Sequence, residues 1–340
     1  MKTPRRGAVL AGLALALPLT MLVAASAGSV PLPVRGVLAS LVSAAGVHIG
    51  PALPPTGDTI LWAVRLPRVL LAAVVGGGLA VVGATLQSVF RNPLADGGLL
   101  GVGAGAALGA VAAVRLGWAG STFLALPIAA FVGAMAAVLA LYALSQALTG
   151  GTLHGLLLTG IAVSALAAAG TSMLLVATEE FRVKTVLFWL AGGLEGRGWV
   201  HFRVGGAMIL AGCLGLLGLA RVLDVLSLGD EEAAALGLRV HTSRLLLLGL
   251  AALVAGAATA ASGSVPFVGL VAPHALRPAV GSLGRHLLPA AFLAGAVLVV
   301  LADLAARVLS DRVDLPLGSL TAFVGAPYFL FALRAGESRT

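Results

Sequence analysis

Apolar residues recur along the whole chain in long runs, which short polar or Gly- and Pro-rich stretches separate. Runs of about 17–25 apolar residues are long enough to cross the hydrocarbon core of a membrane as helices. The spans must be helical because hydrocarbon offers the backbone no hydrogen-bond partner, and the alternating pattern of a membrane barrel is missing. The runs predict about ten spans, at 7–27, 62–86, 97–116, 121–147, 153–177, 200–220, 241–261, 265–280, 287–306 and 315–333.

Three stretches depart from this simple pattern. Segment 28–61 is rich in proline and is predicted to be a loop. Segment 179–199 is more polar, which predicts a short helix at the membrane surface. The 265–280 run is short and holds three prolines, so we expect a broken helix that is buried among other spans.

The N-terminus has a basic head, an apolar run and the small residues Ala25, Ser26 and Ala27, which together are typical of a secretory signal. The apolar run is long for a signal, so we expect an uncleaved first span that starts inside. The end of this span then lies outside, and ten crossings place 221–240 in the cytoplasm; 28–61 is expected outside, in the periplasm if the protein is bacterial. The lysines and arginines divide almost evenly between the two sides, so the positive-inside rule does not support this orientation.

Composition excludes several classes of protein. The chain is 59% hydrophobic and 10% charged, far from the average of soluble proteins. Its net charge of +8 comes from arginines that are scattered between spans, so we do not expect nucleic acid to bind. The single Cys213 excludes an intrachain disulfide, and the histidines lack metal-ligand spacing. Neither lysine, Lys2 nor Lys184, lies in a phosphate-binding loop, so any ATP that drives this protein is bound by another chain.

The stretch SLGDEEAAALGLRV (227–240) places three consecutive acids between two apolar spans. Ser227 or Asp230 is expected to cap a helix of about seven residues, the acids favour its first turn, and Gly237 is placed to end it. Such a helix is too short to span and would lie at the cytoplasmic face. It is either an ordinary connector or a surface that another protein binds.

Four long blocks together resemble one family. They are RLPRVLLAAVVGGGLAVVGATLQSVFRNPLADGGLLGVGAGAALG (65–109), LGDEEAAALGLRV (228–240), GSVPFVGLVAPHALRPAVG (263–281) and LADLAARVLSDRVDLPLGSLTAFVGAPYFLFALR (301–334). In this order, they are similar to the permease subunits of type II ATP-binding-cassette importers, which carry iron-siderophores, haem and vitamin B12.

The resemblance implies an all-α polytopic membrane protein in which residues 1–340 form one transmembrane permease domain with about ten spans. It further implies a homodimer with the translocation pathway at the dimer interface, in the bacterial inner membrane. Two cytoplasmic ATPase subunits would hold ATP and Mg, and a periplasmic substrate-binding protein would deliver the cargo. The chain itself would bind no cofactor and catalyse no reaction, and besides these partners it would contact membrane lipid but no nucleic acid.

The same resemblance implies roles for individual residues. Coupling to the ATPase would use Asp230, Glu231, Ala235, Leu236 and Gly237, and docking of the binding protein would use Arg65, Arg68 and Arg307. The cytoplasmic gate would contain Asn92, Leu94, Gly151 and Thr152, and the outer mouth of the pathway Arg182 and Lys184.

Simpler alternatives remain open for these residues. Arg307 could instead pair along its helix with Asp303, four residues earlier. Arg65 and Arg68 have no evident intrachain partner in the sequence, which favours docking. The gate residues could form ordinary turns, and the two mouth cations could snorkel to lipid headgroups.

The cargo is the least determined part of the prediction. Cations near the outer mouth favour an anionic cargo, so we expect haem or a ferric siderophore, with vitamin B12 as the alternative. A proton- or sodium-coupled secondary transporter is the rival class, and such proteins usually carry ionisable residues deep within their spans. Asp303 is the one acid near a predicted span interior, and a channel would have no need of the acidic helix.

Overall fold

The computed structural model describes residues 3–47, 50, 53–309 and 315–337. The regular elements among these residues are all helices, joined by turns and loops, and no strand is present among them. The helices are α1 (Thr3–Ser26), α2 (Val34–Ser43), α3 (Pro55–Val89), α4 (Val102–Arg115), α5 (Ala125–Thr149), α6 (Leu153–Val176), α7 (Glu180–Ala191), α8 (Trp199–Gly218), α9 (Ala220–Leu226), α10 (Asp230–Ala235), α11 (Val240–Ser262), α12 (Val268–Val280), α13 (Gly284–Val308) and α14 (Leu317–Glu337).

The ten predicted spans are all helical in the structure. Seven helices in the described part of the chain are long and apolar enough to cross a membrane: α1, α3, α5, α6, α8, α11 and α13. Of the other three predicted spans, α4 and the Leu317–Phe331 part of α14 are shorter apolar helices, and α12 is a helix of 13 residues. The faces of α5 and α6 are largely exposed, as expected of helices whose neighbours are lipid.

Helix α3 is the centre of the bundle, since about nine-tenths of its most apolar stretch is buried. It packs on α8, α11, α12 and α13. At about 1.5 Å per residue its 35 residues reach roughly 50 Å, longer than the hydrocarbon core, so its outer end extends beyond the membrane. A π-helical turn at Ile60–Arg65 interrupts this outer part.

The expectation that 28–61 is a loop is wrong in two places. Residues Val34–Ser43 form α2, and α3 already begins at Pro55. Proline suits the first position of a helix because that N–H has no helical partner anyway. Helix α2 buries Val37 against Leu53 and Leu61, which makes a small apolar core outside the main bundle.

The expected break within 265–280 is also wrong. An irregular stretch covers Gly263–Phe267, but α12 then runs unbroken from Val268 to Val280 through Pro273 and Pro278. Proline at 273 deprives the carbonyl of Gly269 of its helical donor. Gln87 of α3 supplies a replacement, since its Nε2 donates to Gly269 O at 3.1 Å while Arg277 donates to its Oε1 at 3.1 Å.

The short helix predicted within 179–199 is present as α7. Its C-terminal end is joined to two spans by backbone hydrogen bonds. Gly193 N donates to Ser262 O at 2.8 Å, and Leu317 N donates to Gly192 O at 3.0 Å. The helix and the turn after it therefore close over the outer ends of α11 and α14.

Helices α3 and α13 approach each other through two glycines. A Cβ on Gly295 would overlap the carbonyl of Gly76 and lie 2.5 Å from the methyl group of Ala80. A Cβ on Gly249, in contrast, would meet nothing within 4 Å. Small residues at such crossings let two backbones come close.

We therefore expect Gly295→Ala to destabilise the bundle by about 1–3 kcal/mol, as overpacking does elsewhere. Thermal unfolding of the purified protein in detergent measures the change. Gly249→Ala is the matched control and should leave the midpoint unchanged or slightly higher. Equal midpoints for the two variants would show that the α3–α13 crossing tolerates a Cβ.

Candidate functional sites at the two faces

At the predicted outer face, Arg65 lies in the π-helical turn of α3 and is only 5% exposed. Its Nη1 donates to Ala25 O at 2.9 Å and Ser26 O at 2.8 Å, and its Nη2 donates to Val30 O. These carbonyls belong to the end of α1 and the turn that follows. The guanidinium thus satisfies backbone acceptors that the helix end leaves without partners.

Arg68 and Arg307 share the carboxylate of Asp303, which is 1% exposed. Arg68 Nε lies 2.9 Å from Asp303 Oδ1, and Arg307 Nε lies 3.1 Å from Oδ2. Arg307 also donates to the carbonyls of Ala24 and Ala27, at 2.9 and 3.0 Å. Three spans, α1, α3 and α13, therefore meet in one polar cluster.

This cluster corrects part of the sequence interpretation. The argument that Arg65 and Arg68 lack intrachain partners is wrong, since both are bonded within the chain. The alternative pairing of Arg307 with Asp303 along α13 is present. Docking of a binding protein to these three arginines stays a prediction, and the structure adds that their side chains are already held in place.

At the predicted inner face, the acidic stretch forms α10, a helix of six residues. The expected caps are wrong, because Gly229 precedes the helix with a φ of 142° and no side chain caps it. Ser227 Oγ donates instead to Asp224 O at 2.7 Å. Asp230 accepts a hydrogen bond from Arg244 of α11 at 2.5 Å.

The end of α10 is as the sequence predicts. Gly237 has a φ of 83°, its N–H donates to Ala234 O at 2.9 Å, and Leu238 N donates to Ala233 O at 3.0 Å. This paired arrangement is a common way for a helix to end at a left-handed glycine.

One side of α10 packs on the rest of the chain, and the other side is exposed. Ala233 is fully buried, whereas Leu236 is 66% exposed. Further exposed residues of the predicted coupling set are Asp230, Glu231, Ala235 and Gly237. A mixed acidic and apolar patch therefore projects from the inner face.

One tie fixes this patch to a span and a second fixes the preceding helix α9 to another span, and no pattern in the sequence indicates either. The first is the Asp230–Arg244 pair, in which the arginine is 8% exposed. The second joins α9 to the start of α13, where Gly284 N donates to Asp224 Oδ1 at 2.6 Å. The ties involve residues 14 and 60 positions apart, a separation at which one sequence shows no pattern.

The first predicted gate element is a tight turn after α3. Asn92 Oδ1 accepts a hydrogen bond from Leu94 N at 2.9 Å, and Leu94 is 43% exposed. Arg91 has a positive φ of 48°, which is uncommon outside glycine. A Cβ built on Gly229 would lie 3.5 Å from Arg91 Nη1, so this turn neighbours the start of α10.

The second predicted gate element joins α5 to α6. Gly151 has a φ of 72°, and Thr152 caps α6 because its Oγ1 accepts from Gly155 N at 3.1 Å. Among the described residues, no hydrogen bond joins this turn to the Asn92 turn. The geometry is that of two ordinary turns, and their role as a gate stays a prediction.

The two predicted mouth cations differ in their surroundings. Arg182 lies 3.1 Å from Glu179 and donates to Val114 O of α4 at 3.2 Å. Lys184 is exposed. Only Lys184 therefore resembles the exposed cation that the sequence interpretation requires.

The sequence interpretation missed a third cation on this face, Arg197. It lines a cavity of about 290 Å³ beside α7, together with Trp189 of that helix. Burial lowers the pKa of the Arg197 guanidinium. One arginine in a Gly-rich connection carries no sequence signal, so only the fold reveals this site.

Known proteins match this chain over most of its length. A family model described as the FecCD transport family matches residues 15–335. The hemin transport system permease protein HmuU of Yersinia pestis is 44% identical over 282 residues, covering 82% of this chain and 84% of its own. The cobalamin import system permease protein BtuC of Halobacterium salinarum is 40% identical over 287 residues, covering 84% and 76%.

A solved structure gives the same result. It is an inward-facing conformation of a metal-chelate type ABC transporter, and it superimposes with a TM-score of 0.85. Its sequence is 32% identical, and the match covers 97% of this chain and 99% of the other.

The outer cluster generates a stability prediction. Asp303→Asn leaves Arg68 and Arg307 without the carboxylate that they share, and breaking a buried pair in this way typically costs about 3–5 kcal/mol. We expect a clear fall in the thermal midpoint in detergent. Glu179→Gln, which breaks the exposed pair with Arg182, is the control and should cost about 1 kcal/mol or less. Similar midpoints for both variants would contradict the structural role of Asp303.

Proposed function

Since the chain belongs to the FecCD transport family, and so is the permease subunit of a type II ATP-binding-cassette importer in the inner membrane, we propose that it moves an iron chelate, haem or a ferric siderophore, into the cytoplasm. It acts as a homodimer with the pathway between the two copies. Two ATPase chains bind ATP and Mg at the inner face, and a periplasmic binding protein delivers the cargo. This chain supplies the path and the contacts.

The observation that carries this proposal is α10, an exposed acidic and apolar patch fixed to two spans. A simple connector needs neither an exposed Leu236 nor internal ties. A patch that is exposed on one side and bonded to the spans on the other is suited to a contact that transmits movement from a partner protein. Asp230 serves mainly the internal tie, and Glu231, Ala235, Leu236 and Gly237 serve the contact with the ATPase.

The ties suggest how movement reaches the pathway. Displacing α10 pulls on α11 through Arg244 and on the start of α13 through Asp224. It also moves the Asn92 turn, because Arg91 lies beside Gly229. Exchange of the open side between inner and outer faces then follows ATP binding and hydrolysis by the partner chains.

Secondary transport is disfavoured by the state of Asp303. A proton or sodium carrier needs an acid that can change its charge or ligand during the cycle. Asp303 is instead held between two arginines at 2.9 and 3.1 Å. Its surroundings fit a structural role in joining α3 to α13.

The choice of cargo rests on charge at the outer face. The relatives differ in the cargo that their names give, hemin for one and cobalamin for the other, so similarity alone does not choose. Exposed Lys184 and recessed Arg197 favour an anionic chelate over the weakly charged corrinoid. Vitamin B12 is the alternative.

Reconstituted uptake tests the proposed function. Proteoliposomes that contain the permease, its ATPase and the binding protein should accumulate haemin or ferric dicitrate only when ATP is inside with the ATPase chain. Omitting the ATPase while imposing a proton gradient should abolish uptake. Uptake that persists under that condition would show a secondary transporter, and accumulation of cyanocobalamin alone would overturn the choice of cargo.

Residue substitutions test the coupling surface. Glu231→Arg combined with Leu236→Arg should leave the membrane fold intact and prevent co-purification of the ATPase, because the patch is reversed in charge and loses its apolar contact. Leu38→Arg, at an exposed leucine near the outer face, is the control and should retain the ATPase. A normal complex with the double variant would count against α10 as the coupling helix.

A further inference from the structure

The cavity beside α7 has an unusual combination of walls. It lies at the outer ends of the spans, with a volume of about 290 Å³. Much of its lining is apolar, including Leu126, Phe188 and Leu317. Polar side chains interrupt this apolar surface, and the hydrogen-bond donors among them are Arg68, Thr185, Trp189, Arg197 and Ser262.

Both donors lack an acceptor. Trp189 is 8% exposed, and its Nε1 has no hydrogen-bond partner in the described structure. The same holds for the Nε of Arg197, which is also buried. Indole and guanidinium groups can only donate, and buried donors in folded proteins are nearly always bonded. Two residues of the cavity lining therefore carry a donor that has no acceptor in the described structure.

We propose that this cavity is a cargo subsite that takes a carboxylate group carried on an otherwise apolar chelate. Arg197 and Trp189 donate to the carboxylate oxygens, and the leucine and phenylalanine side chains contact the apolar body. The proposal rests on the proposed import function and names the chemical class of cargo. The charged hydrogen bond from Arg197 favours a carboxylate over the neutral amides of a corrinoid.

Size and neighbouring charge limit what binds. A volume of about 290 Å³ is near the lower end for ligand pockets, so it holds a small chelate or one carboxylate arm of a larger cargo. Arg68 also lines the cavity, but Asp303 already holds it. Glu195 is an exposed acid in the same lining, and it opposes an entering anion.

Binding can be observed without transport, from the indole N–H signals of the full-length permease in lipid nanodiscs. The chain has four tryptophans, so nitrogen-15 labelling gives four such signals, and Trp189→Phe identifies the one from Trp189. We expect sodium citrate and ferric dicitrate to shift this signal, and sodium chloride at equal ionic strength not to shift it. Arg197→Gln should weaken the citrate affinity about tenfold, and Glu195→Gln should strengthen it.

Arg203→Gln is the matched control, since it removes an exposed arginine on the same face that does not line the cavity. Its citrate affinity should equal that of the unchanged protein. An unshifted Trp189 signal, or equal effects of Arg197→Gln and Arg203→Gln, would overturn the proposal. Because this titration needs no ATPase, it can fail while ATP-driven import succeeds.

Uptake measurements then distinguish two sources of the carboxylate, the cargo and a side chain of the binding protein. In the reconstituted transporter, Arg197→Gln should lower uptake of ferric dicitrate or haemin about tenfold while the binding protein still binds with unchanged affinity. If the variant instead lowers the affinity of the binding protein for the permease and leaves cargo uptake unchanged, the cavity binds a carboxylate side chain of the binding protein. The proposal that it binds cargo would then be wrong.

Discussion

Charged and polar groups that lie among the spans must find their partners within the chain, because hydrocarbon supplies none. The outer cluster shows how this constraint shapes the fold. Asp303 holds Arg68 and Arg307, while Arg65 and Arg307 bond the carbonyls at the end of α1. The Gln87 side chain does the same for the carbonyl that Pro273 leaves unbonded, so α12 stays continuous. Each satisfied group also joins two helices, and the bundle is held at these points as well as by its apolar packing.

The same kind of bond connects the surface to the membrane interior. Asp230–Arg244 and Asp224–Gly284 attach the exposed α10 region to α11 and α13. A helix of six residues has little stability of its own, so these ties keep it in place for a partner. Under the proposed function, they would also transmit movement of a bound partner to the spans. Four buried donors in the described part of the chain have no acceptor: Trp189 Nε1 and the Nε atoms of Arg197, Arg244 and Arg277. Of these, Trp189 and Arg197 line the cavity beside α7.

Sequence patterns predicted the elements that depend on local chemistry. Long apolar runs located the ten spans, and Gly237 located the end of α10, because hydropathy and left-handed backbone are properties of neighbouring residues. Proline misled the interpretation twice. At Pro55 it begins a helix, and at Pro273 a side chain from another span repairs the missing bond. Whether proline breaks a helix thus depends on partners that are distant in sequence.

Side-chain partners could not be predicted in the same way. Arg65 and Arg68 seemed unpaired because their acceptors lie on other spans, up to 235 positions away for Asp303. Arg197 could not be distinguished from a surface arginine until the fold enclosed it. The family resemblance indicated the segments that we propose to carry function, while only the three-dimensional arrangement showed the hydrogen bonds and ion pairs that hold those segments in place.

We propose that α10 moves the spans through its tie to Arg244. The most direct measurement is the number of cargo molecules imported per ATP hydrolysed by reconstituted Arg244→Gln transporter, with the ATPase confirmed to be bound. The account predicts that hydrolysis continues while import per ATP falls severalfold. An unchanged ratio of import to hydrolysis would contradict it.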